Sequence, residues 1–169
     1  MEAIECILTR RSIRKYKKEK IPADLIRELL TAAMSAPSAR NEQPWHFIVI
    51  DERKILDEIP KFHPYAQMLK EAPLAILIAG DKKLTSYEGY LIQDCSAATQ
   101  NLLLACHAQG LGAVWIGIYP REERIKGIKN LLSLPEDILP VSLVAIGYPA
   151  EKKEAENRYK PERVHHNRW

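Results

Sequence analysis

Residues 87–119 read YEGYLIQDCSAATQNLLLACHAQGLGAVWIGIY, and this stretch decides the fold class. Leu91, Cys95, Ala98, Leu102 and Ala105 recur at steps of three and four, which predicts one long helix over 87–109. Ala97, Ala98, Leu103 and Leu104 widen its apolar stripe, so the helix is expected to be buried on most sides. Gly110 then ends it as a glycine just past a helix terminus does. Residues 113–119 follow as an apolar strand. The glycines of Gly110-Leu111-Gly112 look like half of a dinucleotide fingerprint. That fingerprint runs strand then helix, so that the helix N-terminus meets a pyrophosphate. Here the order is reversed, and the dinucleotide reading is rejected.

Working outward, residues 1–9 fit a short helix. Pro22 opens another, carried by Leu25, Ile26, Leu29, Leu30, Ala33 and Met34, with Asp24 favourable in its first turn and Pro37 as its stop. Strands are expected at 46–50, 74–79 and 141–148, and helices at 53–58 and 122–132. The tail 151–169 is polar and aperiodic. Helices and strands alternate without a regular βαβ beat, so the fold class is α+β.

The chain has 169 residues, 46% of them hydrophobic and 28% charged, which suits one globular domain over 1–169 and excludes a largely disordered chain. The longest apolar runs, at 74–80 and 141–147, are strand-sized, so no membrane association is expected. The opening MEAIECILTRRS has two glutamates and no long apolar region, so no secretory leader is expected there. Cys6, Cys95 and Cys106 form no CxxC pair; free buried thiols in a reducing, cytoplasmic compartment are expected.

The net charge of +3 is unevenly spread. Residues 1–20 carry +4, residues 151–169 carry +2, and the segment between them carries −3. Two basic ends can converge on one anion, be solvated, or form a weak nucleic-acid surface. The cluster Arg10-Arg11-Ser12-Ile13-Arg14-Lys15-Tyr16 sharpens the first option, because forked guanidinium donors and a hydroxyl can surround a phosphate. A solvated segment and a nucleic-acid arm remain the other readings; no RNA-binding or zinc-finger pattern supports the latter. A second cluster, residues 37–47 (PSARNEQPWHF), is a loop whose amides and hydroxyls can read the edge of a planar heterocycle or simply make turns. Trp45, Phe47 and Trp115 are expected in the core. Asp94 is out of place on its apolar helix. His63, His165 and His166 lack ligand spacing, so no metal site is expected.

Together the two clusters resemble the nitroreductase family of flavin-dependent oxidoreductases. That family has an Arg-Arg-Ser-x-Arg-x-Tyr/Phe segment near its start, and an Ala-Pro-Ser-x-x-Asn-x-Gln-Pro-Trp-x-Phe loop later; here these are residues 10–16 and 36–47. GLGAVWIG at 110–117 and AIGYPA at 145–150 look like two further family segments, in order.

The resemblance implies an α+β fold with a central, mainly antiparallel sheet flanked by helices, in an intertwined homodimer binding FMN at the subunit interface. It implies that Arg10, Arg11 and Ser12 hold the FMN phosphate and ribityl chain. Arg14 would lie near the flavin N1/C2 edge, where a cation stabilises the reduced ring. Pro37, Ser38 and Asn41 would reach flavin bound mainly by the other subunit. Ile116 and Gly117 would bring a backbone N–H to flavin N5. Arg158 would complete the phosphate site, with Lys160 as a rival, and the tail 151–169 would wrap the partner. The implied reaction carries a hydride from NADH or NADPH through flavin to a small-molecule acceptor such as a nitroaromatic or quinone. The cofactor does the chemistry, so no side chain is assigned as catalytic. A flavin storage or delivery protein and a dehalogenase-like reductase are the alternatives. The chain is short beside many members, which implies an open or differently covered pocket.

Overall fold

The computed structural model describes every residue except Ser86. Along the chain run α1 (Ala3–Thr9), α2 (Ala23–Met34), β1 (Trp45–Ile50), α3 (Arg53–Phe62), β2 (Leu74–Asp81), α4 (Glu88–Ala108), β3 (Gly112–Gly117), α5 (Glu122–Leu132) and β4 (Ile138–Gly147), with short 3-10 turns at Ala39–Asn41, Gln67–Lys70 and Pro161–Arg163. The four strands lie in the order β1-β2-β4-β3, every pair antiparallel. The expected α+β class and antiparallel sheet are what the fold has.

Helices cover both faces of the sheet. Leu74, Ile76 and Ile78 of β2 point into one cluster, against Leu29 of α2 and Leu91, Cys95 and Leu102 of α4. Ala75, Leu77 and Ala79 point into the other, against Leu56 and Ile59 of α3, Leu69, and Ile128 of α5. This is strand alternation with both faces buried. In β4 the alternation slips: Leu139 and Val141 share a face with Val144 and Ile146. The register explains it, because Ile78 faces Ser142 while Ala79 faces Pro140, leaving Val141 as the extra residue of a bulge.

Local chemistry sets the ends of α4. Gly110 has φ 74°, its N–H donates to the His107 carbonyl, and the Leu111 N–H donates to Cys106 at 2.8 Å. This paired capping satisfies two of the helix's last carbonyls. Midway along α4, the Thr99 hydroxyl meets the Ser142 hydroxyl at 2.7 Å, so this buried polar contact between helix and sheet is internally satisfied. Cys95 and Cys106 are fully buried, and burial pushes both thiols up to about 12. They are packing residues, as expected.

Several boundaries differ from expectation. Helix α2 begins at Ala23 with Pro22 as its cap, and ends at Met34, before Pro37. Helix α3 runs through Pro60 to Phe62 instead of stopping at 58, because Leu56, Ile59 and Pro60 all pack into the core. Strand β4 starts at Ile138, three residues early, since the bulge accommodates Pro140.

Candidate functional site: two clefts joined at Arg14

Residues 10–17 form a seam at the open edge of the sheet. The Ile13 N–H donates to the Ala113 carbonyl at 3.0 Å, so the segment runs beside β3. Farther on, Lys17 N–H donates to Tyr148, and Ala150 N–H donates to Lys15. Ile13 and Tyr16 are buried, and the Tyr16 hydroxyl donates to the Ile13 carbonyl at 2.6 Å. The polar residues between them are thereby turned outward. The Glu151 carboxylate accepts the N–H groups of Arg14 (2.6 Å) and Lys15, and the Arg14 bond above all holds its carboxyl below the usual value.

The two basic ends of the chain meet here. A cleft of about 480 Å³ is lined by Arg10, Arg11, Ser12, Arg14, Lys153 and Arg158, and also by Glu154 and Glu156, the latter 3.4 Å from Arg158. Arg158 lines this cleft and Lys160 does not. Arg10 is held below its ordinary value by burial first, then by the positive charges of Arg158 and Arg11. A guanidinium pressed against others in this way favours an anion between them. Arg11 acts differently from its neighbours. Its fork donates to the carbonyls of Leu8, Arg10 and Glu154, so it ties the C-terminal segment to the N-terminal one. Lys153 adds a second tie, donating to the Ser12 carbonyl at 2.8 Å.

The second cleft, about 500 Å³, shares Arg14 with the first and lies against the end of β3. Its floor is Val114–Gly117. Its far wall is His63, Tyr65, Gln67 and Met68, from the connector after α3, together with Arg124 of α5. No Asp or Glu lines it.

The sheet register shows what this floor presents. Gly117 faces Ser142, and the next N–H, of Ile118, donates to the Val141 carbonyl. Backbone groups alternate sides along a strand, so Gly117 turns its N–H and C=O away from β4, toward the cleft. Ala113 has the same parity, and its carbonyl does accept from Ile13 on that outer edge. Ile116 has the opposite parity and spends its amide on the sheet. Of the two expected positions, only Gly117 therefore offers its N–H outward.

The Gly117 carbonyl is held twice. His63 Nε2 donates to it at 2.9 Å, and Arg124 Nη1 donates to it at 2.9 Å. A carbonyl only accepts, so the His63 proton sits on Nε2. That leaves Nδ1 as an acceptor, buried without a partner. Burial is the main reason that the His63 imidazole is held below its usual value and stays neutral.

A side chain at Gly117 would meet nothing within 4 Å, whereas one at Gly112 would strike Ile13. Packing within the chain requires glycine at 112 but not at 117. Close approach of a flat ligand to the floor is a reason that fits position 117.

Pro37, Ser38 and Asn41 do not join these clefts. They line neither cleft, and they precede β1, which lies three strand spacings, about 14 Å, across the sheet from β3. Their loop is held in an unusual shape: Arg40, Asn41 and Gln43 have φ of 55°, 58° and 48°. Ser38 Oγ accepts the Gln43 N–H, and Asn41 Oδ1 accepts from Gln43 Nε2 at 2.8 Å. The Ser38 hydroxyl proton and the Asn41 amide NH₂ stay available to a ligand. The loop's anchor is Asp94. Its Oδ1 accepts the Ala39 N–H at 3.0 Å, while its Oδ2 is buried without a partner. Sequence reading marked Asp94 as odd but did not connect it to this loop. Sequence offers His63 only as a metal ligand, which it sets aside, and no motif announces Tyr65, Gln67, Met68, Arg124 or Lys153.

Among the described residues no group of three His, Cys, Asp or Glu side chains could hold a metal ion, and no helix is long and apolar enough to cross a membrane. The clefts do fit FMN, with an arginine-lined anion site on one side of Arg14 and a flat floor with an outward N–H on the other.

A family model described as the Nitroreductase family matches residues 7–66 and 61–148. A Methanothermobacter thermautotrophicus protein, provisionally named NADH dehydrogenase/NAD(P)H nitroreductase, is 49% identical over 169 residues, covering 100% of this chain and 88% of its own length. The crystal structure of a Parabacteroides distasonis protein with the same provisional name matches with a TM-score of 0.94 and 43% identity, covering 98% of each chain. A provisionally named nitroreductase from Desulfovibrio desulfuricans, solved in complex with FMN, matches with a TM-score of 0.86 and 32% identity, covering 98% of this chain and 96% of its own.

Proposed function

The chain belongs to the nitroreductase family and is an NAD(P)H-dependent oxidoreductase that uses FMN, and from that premise we propose how its residues carry the reaction. The basic cleft would hold the FMN phosphate and the adjoining cleft would hold the ring. The observation that carries this is Arg14, which lines both clefts. When bound, FMN would supply hydride transfer between NADH or NADPH and a nitroaromatic, quinone or similar acceptor in alternating half-reactions.

The protein binds, orients and screens. Arg10 and Arg158 neutralise the phosphate, and Ser12 adds a neutral donor. Arg11 keeps the tail in place beside them. Arg14 offsets negative charge at the pyrimidine edge of the ring. The Gly117 N–H faces the reacting edge, and His63 and Arg124 keep that peptide from turning. No side chain serves as acid, base or nucleophile.

A second copy of the chain completes the site. Pro37, Ser38 and Asn41 line neither cleft of their own protomer and serve the clefts of the partner in a homodimer. The exposed tail supports this arrangement: Tyr159 and Trp169 are 70% and 101% exposed. It reads as an arm laid on the partner. The buried free thiols agree with a reducing, cytoplasmic setting.

Steady-state kinetics test the reading. Double-reciprocal plots at several acceptor concentrations should give parallel lines, and gel filtration should give a dimer with one FMN per chain. Intersecting lines or a flavin-loaded monomer would overturn the shared-cleft cycle. Stable flavin without turnover would favour storage or delivery.

A further inference from the structure

We propose that the cleft beside β3 selects planar acceptors carrying an anionic group, and that Arg124, backed by Tyr65, binds that group. The inference rests on the flavin reading above and adds the charge of the acceptor to it.

Arg124 sits in the first turn of α5 and reaches back over the end of β3. Its Nη1 holds the Gly117 carbonyl at 2.9 Å, and its guanidinium carbon lies 5.6 Å from the centroid of the Tyr65 ring. Those two contacts fix the fork before a ligand arrives, so little side-chain freedom is lost on binding. Among the described residues no carboxylate forms an ion pair with Arg124. Its Nε is buried without a hydrogen-bond partner. A half-buried guanidinium that lacks a counter-charge gains from any anion that reaches it.

Position makes the anion an acceptor's. The other charged group lining this cleft is Arg14, which the flavin engages. Arg124 remains, and it touches the same residue, Gly117, that faces the reacting edge. Tyr65 is 73% exposed and offers an aromatic surface beside the fork. An aromatic acceptor with a carboxylate can therefore place its charge on Arg124 and its ring against the flavin held on the floor of the cleft.

The test compares 4-nitrobenzoate with its neutral relative 4-nitrobenzamide on FMN-loaded protein with NADH. The ratio of their kcat/KM values is measured in wild type, Arg124→Gln, Arg124→Lys and Tyr65→Leu. Changes in that ratio between proteins cancel the intrinsic difference in reactivity. Arg124→Gln should lower it on the order of tenfold, through a higher KM for the benzoate, as loss of a charge-assisted bond predicts. Arg124→Lys should restore part of it, and Tyr65→Leu should lower it less. A ratio unchanged in Arg124→Gln overturns the proposal, even if both acceptors slow equally, since that would leave Arg124 only its hold on Gly117. A higher KM for NADH with the ratio unchanged would assign the anion to the donor and overturn it too. Folded wild-type protein that keeps no FMN after reconstitution would sink the flavin reading instead, and this inference with it.

Discussion

His63 Nε2 donates to the Gly117 carbonyl at 2.9 Å, which ties the connector after α3 to the last residue of β3. The bond requires the proton on Nε2, and the buried Nδ1 has no acceptor to receive a second proton. The folded state therefore resists protonation of His63, with a value below the usual 6.5. The unfolded chain binds that proton more readily, so stability rises with pH across this range and falls as pH drops below about 6.5. Melting temperatures measured from pH 8 to pH 5 should fall on acidification, and His63→Gln should fall less steeply. Equal slopes for the two proteins would remove His63 from the acid response.

Gly117 and Gly112 should behave oppositely on substitution. Gly117→Ala adds a methyl that meets nothing within 4 Å, so the apoprotein should keep its melting temperature or gain slightly. Flavin retention after desalting should nevertheless drop. Gly112→Ala drives a methyl into Ile13, 2.7 Å away, and should destabilise the apoprotein by about 1–3 kcal/mol. Unchanged flavin retention in Gly117→Ala would argue against close approach of the ring.

Arg10→Ala should separate folding from binding. The native guanidinium is partly buried beside Arg158 and Arg11, so its removal relieves repulsion and should not lower the apoprotein's stability. FMN affinity should fall on the order of 10- to 100-fold, while riboflavin, which lacks the phosphate, should bind as before. Calorimetric titration with each flavin reads the difference. Equal losses for both would move the phosphate elsewhere.

Asp94→Ala should loosen the 37–43 loop. It removes the acceptor for the Ala39 N–H and should cost about 1–3 kcal/mol. Limited proteolysis should cut near Arg40 in this variant and spare Asp94→Asn, which keeps an acceptor oxygen. If both resist cleavage equally, the anchor is not what shapes the loop.

The long helix α4 and its end were legible in sequence because their signals are local. Apolar steps of three and four, then Gly110, need no distant partner. Helix α3 was misread because Pro60 is a local breaker, while the burial of Ile59 and Pro60 that keeps the helix going is tertiary. The start of β4 was hidden for a similar reason: Pro140 speaks against a strand until a bulge accommodates it. In the site, Arg10, Arg14 and Arg158 stood out as charge at two chain ends, and family resemblance suggested why they would meet. His63, Tyr65 and Arg124 come from two distant segments with no shared motif. Only the packing of α3 and α5 on one sheet face brings them to Gly117. Which of Ile116 and Gly117 turns its amide outward depends on strand register, and register is a property of the pair β3 and β4.

The most direct test is the visible spectrum of the purified protein, loaded with FMN, desalted, and then mixed with NADH or NADPH without oxygen. The account predicts flavin absorbance that survives desalting at one equivalent per chain and bleaches on adding the nicotinamide, with the faster donor identifying the preferred one. A folded chain that keeps no flavin after reconstitution would contradict it, and the arginines at the two chain ends would then serve another anion.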